Sequence, residues 1–245
     1  MKKRLLCLFI VLLHFSTFAQ QASFEGILLY GRKFYNNSKR IDSVDPNIPP
    51  TISYTVKGSL TLAEISTEKD FMSAMNYSVI VDSEKKEATM LARIANEKMA
   101  IKFEDSFFNE KKLYKVIAPA EIQTRIIAGL KCKLGYALAE SEFGTTDSLR
   151  VWYTEEFRNI PYLFETTGAP GLIVSMQQDD LSYWELEEMK PLTVDPLVFS
   201  IPKEYLPMTP NELQDFISTM DQLEIEEEIA PSKKEGNEII HEEED

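Results

Sequence analysis

The sequence predicts a mainly β fold: a curved antiparallel sheet of half-open-barrel type, with a C-terminal helix and an acidic, disordered tail. Three observations carry that reading. Residues 52–62 alternate with period two, with apolar side chains at the even positions apart from Gly58, the pattern of a strand with one buried and one wet face. Residues 130–138 repeat the pattern and send Cys132 inward with Leu130, Leu134, Tyr136 and Leu138. Further strand-forming runs follow at short intervals, separated by polar turns, and this spacing favours antiparallel meanders over βαβ units.

The elements can be taken in order. Residues 24–35 form a first strand. Residues 52–62 read as one strand, with Gly58 as a bulge or bend. Residues 77–82 and 87–94 pair as a hairpin around 83–86, and 98–104 form a weaker strand. Residues 121–127 lead into 130–138, and 148–154, 172–177 and 181–189 complete a set of roughly ten strands. Thr209-Pro210-Asn211-Glu212 has an N-cap, a proline at the first helical position and an acid at the third, the signature of a helix start. Leu213, Phe216, Ile217 and Met220 follow at helical spacing.

At the N-terminus, Lys2, Lys3 and Arg4 precede an apolar run, and Thr17-Phe18-Ala19 places small residues at the −3 and −1 positions of a cleavage site. This is a secretory signal pattern, with the cut between Ala19 and Gln20. The run is too short for a membrane span, so the mature chain is expected to carry no transmembrane anchor. Residues 20–220 then form a single β-rich domain, and 221–245 an acidic tail. Cleavage would remove three basic and no acidic residues from totals of 26 and 40, leaving a net charge of −17. It would also remove Cys7, so Cys132 would have no disulfide partner. The tail holds eleven acidic residues against two lysines, a composition that buries too little apolar surface to order itself.

Charge and composition exclude several functions. An acidic chain makes a poor nucleic-acid binder. The two histidines, His14 and His241, lie outside the body of the chain, which removes the usual acid–base and metal chemistry. The sequence therefore predicts a non-enzymatic protein without cofactor or metal. Lys131 and Lys133 flank Cys132 but alternate to the opposite face, leaving the thiol inert. Asp179-Asp180 and Glu185, Glu187 and Glu188 lack calcium-loop spacing and read as solvated faces. Gly168-Ala169-Pro170-Gly171 lacks the ending of a phosphate loop and reads as a turn. Ahead of it, Phe157, Ile160, Pro161, Tyr162, Leu163 and Phe164 form an aromatic loop, either tucked into the core or set as a lip over a cavity.

Four features in order resemble a known family: Ile127-Ala128-Gly129-Leu130-Lys131-Cys132-Lys133, Val151-Trp152-Tyr153-Thr154-Glu155-Glu156, Gly168-Ala169-Pro170-Gly171-Leu172-Ile173, and Ile201-Pro202 before the helix start. They are similar to the GLPGLI family of exported Gram-negative proteins and to a related domain grouped with Lol-type lipoprotein carriers. The likeness covers about residues 120–210, and Ala169 stands where the signature has Leu. The resemblance implies a periplasmic or secreted protein with no established activity and a Lol-like half-barrel whose hollow side holds acyl chains. On that reading Tyr54, Tyr136, Trp152, Tyr162, Phe164 and Leu172 are the candidate ligand-binding residues, and a lipid or acyl chain the partner. The alternative is an adaptor that binds another envelope protein. Asp42-Ser43-Val44 and Asp147-Ser148-Leu149 also resemble an O-glycosylation acceptor. The signal reading gives a direct test: N-terminal sequencing of the exported protein should begin at Gln20, and a start at Met1 would remove it.

Overall fold

The computed structural model describes residues 23–36, 39–41, 51–66, 77–94, 97–103, 108, 113–140, 146–179 and 182–229. The predicted cleavage site at Ala19 and Gln20 and the acceptor at Ser43 lie outside them. The strands are β1 (Gly26–Asn36), β2 (Lys39–Ile41), β3 (Thr51–Lys57), β4 (Leu60–Ser66), β5 (Tyr77–Asp82), β6 (Glu87–Ile94), β7 (Glu97–Phe103), β8 (Tyr114–Ile117), β9 (Thr124–Ile127) and β10 (Leu130–Glu140). They continue with β11 (Thr146–Thr154), β12 (Thr166–Thr167), β13 (Leu172–Gln177), β14 (Ser182–Pro191) and β15 (Leu206–Met208), before helix α1 (Pro210–Ile229). All fifteen strands belong to one large, curved, unclosed sheet.

The sheet has two arms that meet at β1. One arm runs β1-β3-β4-β5-β6-β7 and ends on β15; the other runs β14-β13-β11-β10-β8-β12. Every pairing is antiparallel except β12 with β8 and β15 with β7. The central joint pairs β1 with β14, so residues near the two ends of the folded body form the middle of the sheet. The Tyr30 hydroxyl donates to the Ile173 carbonyl at 2.6 Å, a fully buried bond that ties β1 to β13 across β14.

The segment 52–62 is two strands rather than one. Gly58 adopts φ 60° in a two-residue turn, and Val56 pairs with Thr61 and Lys57 with Leu60. A loop of two residues makes even positions of β3 face odd positions of β4. The even-numbered apolar pattern runs on through the turn, but the faces exchange. Ile52, Tyr54 and Val56 share a face with Thr61, Ala63 and Ile65, whereas Leu62 packs on the other face with Ile80, Leu91 and Ala100.

That outer face is covered by the chain after β14. Lys57 Nζ contacts Glu25 Oε1 at 2.7 Å and the Val194 carbonyl at 2.8 Å, and the Val194 amide donates to the same carboxylate oxygen at 2.8 Å. This pins the segment where it leaves the sheet. A 3-10 turn at Pro196–Phe199, capped by the Asp195 side chain, then sets Phe199 and Tyr205 over Leu62 and Ile80. At the start of α1 the Glu212 carboxylate accepts from the Thr209 amide at 2.7 Å and Thr209 Oγ1 accepts from the Glu212 amide at 3.3 Å, a reciprocal capping box. Leu213 and Phe216 pack with Met99 and Ile101, while Ile217 is exposed. The helix continues to Ile229, so the expected boundary at residue 220 falls inside an element.

The main core gathers Leu28, Tyr30 and Val56 with Cys132, Val151, Ile160, Leu163 and the strand Leu172–Gln177. In that strand residues 172–176 are all buried, so both of its faces are covered. The turn before it needs its glycine: a Cβ on Gly171 would stand 2.0 Å from the Thr154 carbonyl oxygen. Tyr30→Phe should destabilise the protein by about 1–3 kcal/mol, because it leaves the Ile173 carbonyl buried without that donor. Thermal unfolding should show a midpoint lower by at least about 2 °C; an unchanged midpoint would mean that the bond contributes nothing.

Candidate functional site

Strands β3 to β7 of one arm and β8, β11, β13 and β14 of the other, with the aromatic loop between β11 and β12, line a groove of about 800 Å³. Pairing explains which side chains reach it. On the first arm Tyr54 opposes Ala63, Ala63 opposes Val79, and Val79 opposes Met90, so alternate residues of β3 to β6 form a continuous wall. On the second arm Val151 opposes Met176 and Met176 opposes Trp184. Leu149, Met176 and Trp184 line the groove on that side, and Trp184 Nε1 donates to Gln178 Oε1 at 3.2 Å at its edge.

The loop closes the groove by an unusual backbone path. Tyr162, Phe164 and Glu165 have φ values of 64°, 52° and 56°, left-handed conformations that cost about 1–3 kcal/mol each when the residue is not glycine. Anchors on both sides hold them. Ile160 and Leu163 are buried, the Glu165 amide donates to the Tyr162 carbonyl at 3.0 Å, and Thr166 Oγ1 donates to the Leu163 carbonyl at 2.6 Å. Phe164 is thereby presented edge-to-face to Tyr30, with ring centres 4.9 Å apart, and to Tyr54 at 5.6 Å. Tyr162 meets Phe108 at 4.8 Å. Ile160, Leu163 and Phe157 of the loop pack into the core, while Tyr162 and Phe164 border the groove.

Burial pushes the phenols of Tyr30 and Tyr54 well above their ordinary range, and that of Tyr77 upward. The charge of Glu165 raises Tyr54 and Tyr77 further, while a hydrogen bond from the Phe164 backbone opposes the shift at Tyr54. At neutral pH these groups are uncharged donors and acceptors.

Of the six residues singled out in the sequence, Tyr54, Tyr162 and Phe164 border the groove. Leu172 is wholly buried in the main core. Trp152 pairs with Leu134 and Ser175, which places it on the face opposite Val151 and Met176, with the Arg125 guanidinium 4.6 Å from its ring centre. Tyr136 is half-buried between Ile117 and Arg150. The even positions of β10 therefore do not form a groove wall. Their parity carries them with Trp152, away from the side that Leu149 reaches. Tyr77, Glu165, Met176 and Trp184 line the groove without having been singled out. The alternation of Ser182, Trp184 and Leu186 was a usable signal for Trp184, but nothing in the sequence marked Glu165.

The carboxylates of 179–188 are engaged elsewhere. Asp179 meets Arg32 at 3.1 Å, Glu185 meets Arg125 at 2.7 Å, Glu187 pairs with Lys33, and Glu188 meets Lys190 at 2.8 Å. Asp180 lies outside the described residues. Among the described residues no cluster of three or more His, Cys, Asp or Glu side chains is placed to hold a metal ion. Ser148 is exposed on β11.

No protein-family model matches the chain, and no curated protein matches it. Similar solved structures include two crystal forms of a protein named PNGF-II. The P21 form superposes with a TM-score of 0.51 at 17% identity, covering 78% of this chain and 33% of that one. The C2 form gives 0.50 at 15%, covering 78% and 32%. This chain thus spans about a third of the length of PNGF-II, and at this identity the likeness is one of fold.

Cys132 is buried in the main core, its sulfur 3.4 Å from the Leu130 carbonyl. Burial pushes the thiol up from near 9 to about 11. The folded state holds this proton more tightly than the unfolded chain, so the contribution to stability is complete below about pH 9 and is lost as pH rises toward about 11. A thiol reagent at pH 8 should label the native protein on the order of 100-fold more slowly than the urea-unfolded chain. Equal rates would place the sulfur at the surface.

Proposed function

We propose that this chain is an exported, non-enzymatic protein of the bacterial cell envelope that holds the acyl chain of a lipid in its groove. The observation that carries the reading is the groove itself. Its volume of about 800 Å³ lies within the range of small-molecule sites, and its lining is mostly apolar with a few polar atoms, as such sites are. Each methylene it buries contributes about 0.8 kcal/mol, so a chain of about ten methylenes supplies enough to outweigh the lower estimates of the association cost. The signal pattern of residues 1–19 supports export, and the resemblance of residues 120–210 to GLPGLI and Lol-type proteins supports a carrier by fold analogy. No helix among the described residues is long and apolar enough to cross a membrane.

The adaptor reading has its own observation. Ile126 on strand β9 and Ile122 in the segment leading into it are 69% and 67% exposed. Apolar side chains presented together at an edge are suited to a protein partner.

One measurement separates the two. The uncharged dye N-phenyl-1-naphthylamine should brighten on binding the wild-type protein at micromolar concentration. Phe164→Asp, which puts a charge at the lip, should weaken that binding by at least about tenfold, while circular dichroism is unchanged. A dye that stays dark with the wild type would remove the carrier reading and leave the adaptor in its place.

A further inference from the structure

The polar end of the groove is chemically one-sided. Among the described residues lining it, Glu165 is the single charged one, and its companions at the lip are Tyr54, Tyr77, Tyr162 and Phe164. Glu165, Tyr54 and Tyr77 line the same groove. The left-handed backbone at residues 164 and 165 holds Phe164 in the aromatic stack and leaves Glu165 exposed at the groove. No Lys or Arg of the described residues forms a salt bridge with it. Arg32, across from Trp184 on β14, is already committed to Asp179 and Ser182 and to the rings of Phe34 and Trp184.

A carboxylate ringed by aromatic side chains attracts a cation twice, through its charge and through the ring faces. It repels an anion, and the chain's net charge of −14 repels anions at longer range. A fatty-acid anion fits such a lip poorly. Resting on the groove reading above, we infer that the preferred occupant is an amphiphile with an apolar chain and an ammonium head, bound with the chain in the groove and the head between Glu165, Tyr54 and Tyr77.

Three ten-carbon amphiphiles test this, each used below its micelle concentration to displace N-phenyl-1-naphthylamine: decyltrimethylammonium, decanoate and uncharged decanol. The ammonium compound should displace the dye at a concentration at least about tenfold lower than decanoate does, with decanol between them. Glu165→Gln should narrow the ammonium-to-decanoate ratio to about threefold or less while leaving decanol unchanged, and 0.5 M salt should narrow it in the wild type by screening. Decanoate binding as well as or better than the ammonium compound would overturn the inference, as would a ratio indifferent to Glu165→Gln. Those results leave the groove reading standing provided decanol still displaces the dye. If none of the three displaces it, the groove reading falls and this inference with it.

Discussion

The antiparallel joint between β1 and β14 is the interaction on which the rest of the molecule depends. It brings Gly26 opposite Pro191 and Phe34 opposite Ser182, so the sheet's middle is assembled from residues about 150 positions apart. Without it the chain would hold two separate meanders, β3 to β7 and β10 to β14, each with an exposed edge and one open face. With it the edges of both are satisfied and the two curved faces turn toward one another. The Tyr30 hydroxyl, bonded to the Ile173 carbonyl and buried against Tyr54 and Phe164, lies where the joint, the second arm and the loop meet. Contacts of such sequence separation form late, because loop-closure entropy must be met before they stabilise anything. Folding should therefore build the local hairpins first and the groove last.

Much of the first arm was legible because its alternation is local. Strands β5, β6 and β13 begin and end where the pattern places them. The capping box of α1 is read from four consecutive residues and forms as read. Residues 52–62 form two strands where the alternation predicts one, for a specific reason. Alternation reports that neighbours face opposite ways but does not report a turn that exchanges the faces. The parity of the two-residue loop at Gly58 sent Leu62 outward, to be covered by Phe199 and Tyr205 from far along the chain.

The candidate site was legible in part for the same reason. Tyr54 follows from alternation in β3, and the aromatic loop stands out by composition. Which face of the second arm turns toward the groove is decided by pairing register. The register shift between Trp152 and Tyr153 in β11 is invisible in a single sequence. Alternation in 130–138 points Tyr136 inward but cannot say toward which side of the folded sheet, and Trp152 lies on the face carrying Arg125 and Glu185. Short strands that exist only through tertiary pairing, β8, β12 and β15, carry no periodic signal of their own. The two-residue β12 and three-residue β15 are ordered by partners already in place.

The loop decides whether the hollow side of the sheet is a core or a site. Enough aromatic side chains face it to fill a small barrel, and Tyr30, Tyr54 and Phe164 do fill one end with interlocked rings. A chain selected only for stability would extend that packing along the groove, since apolar surface left open to water forgoes about 25 cal/mol per Å². Instead the loop holds three non-glycine residues in left-handed conformations and stops short, leaving Ala63, Val79 and Met90 on one wall and Met176 on the other uncovered by the described residues. Strain at the lip and unfilled apolar space behind it both lower stability, and they border the same groove. Both features are the opposite of what packing for stability alone favours.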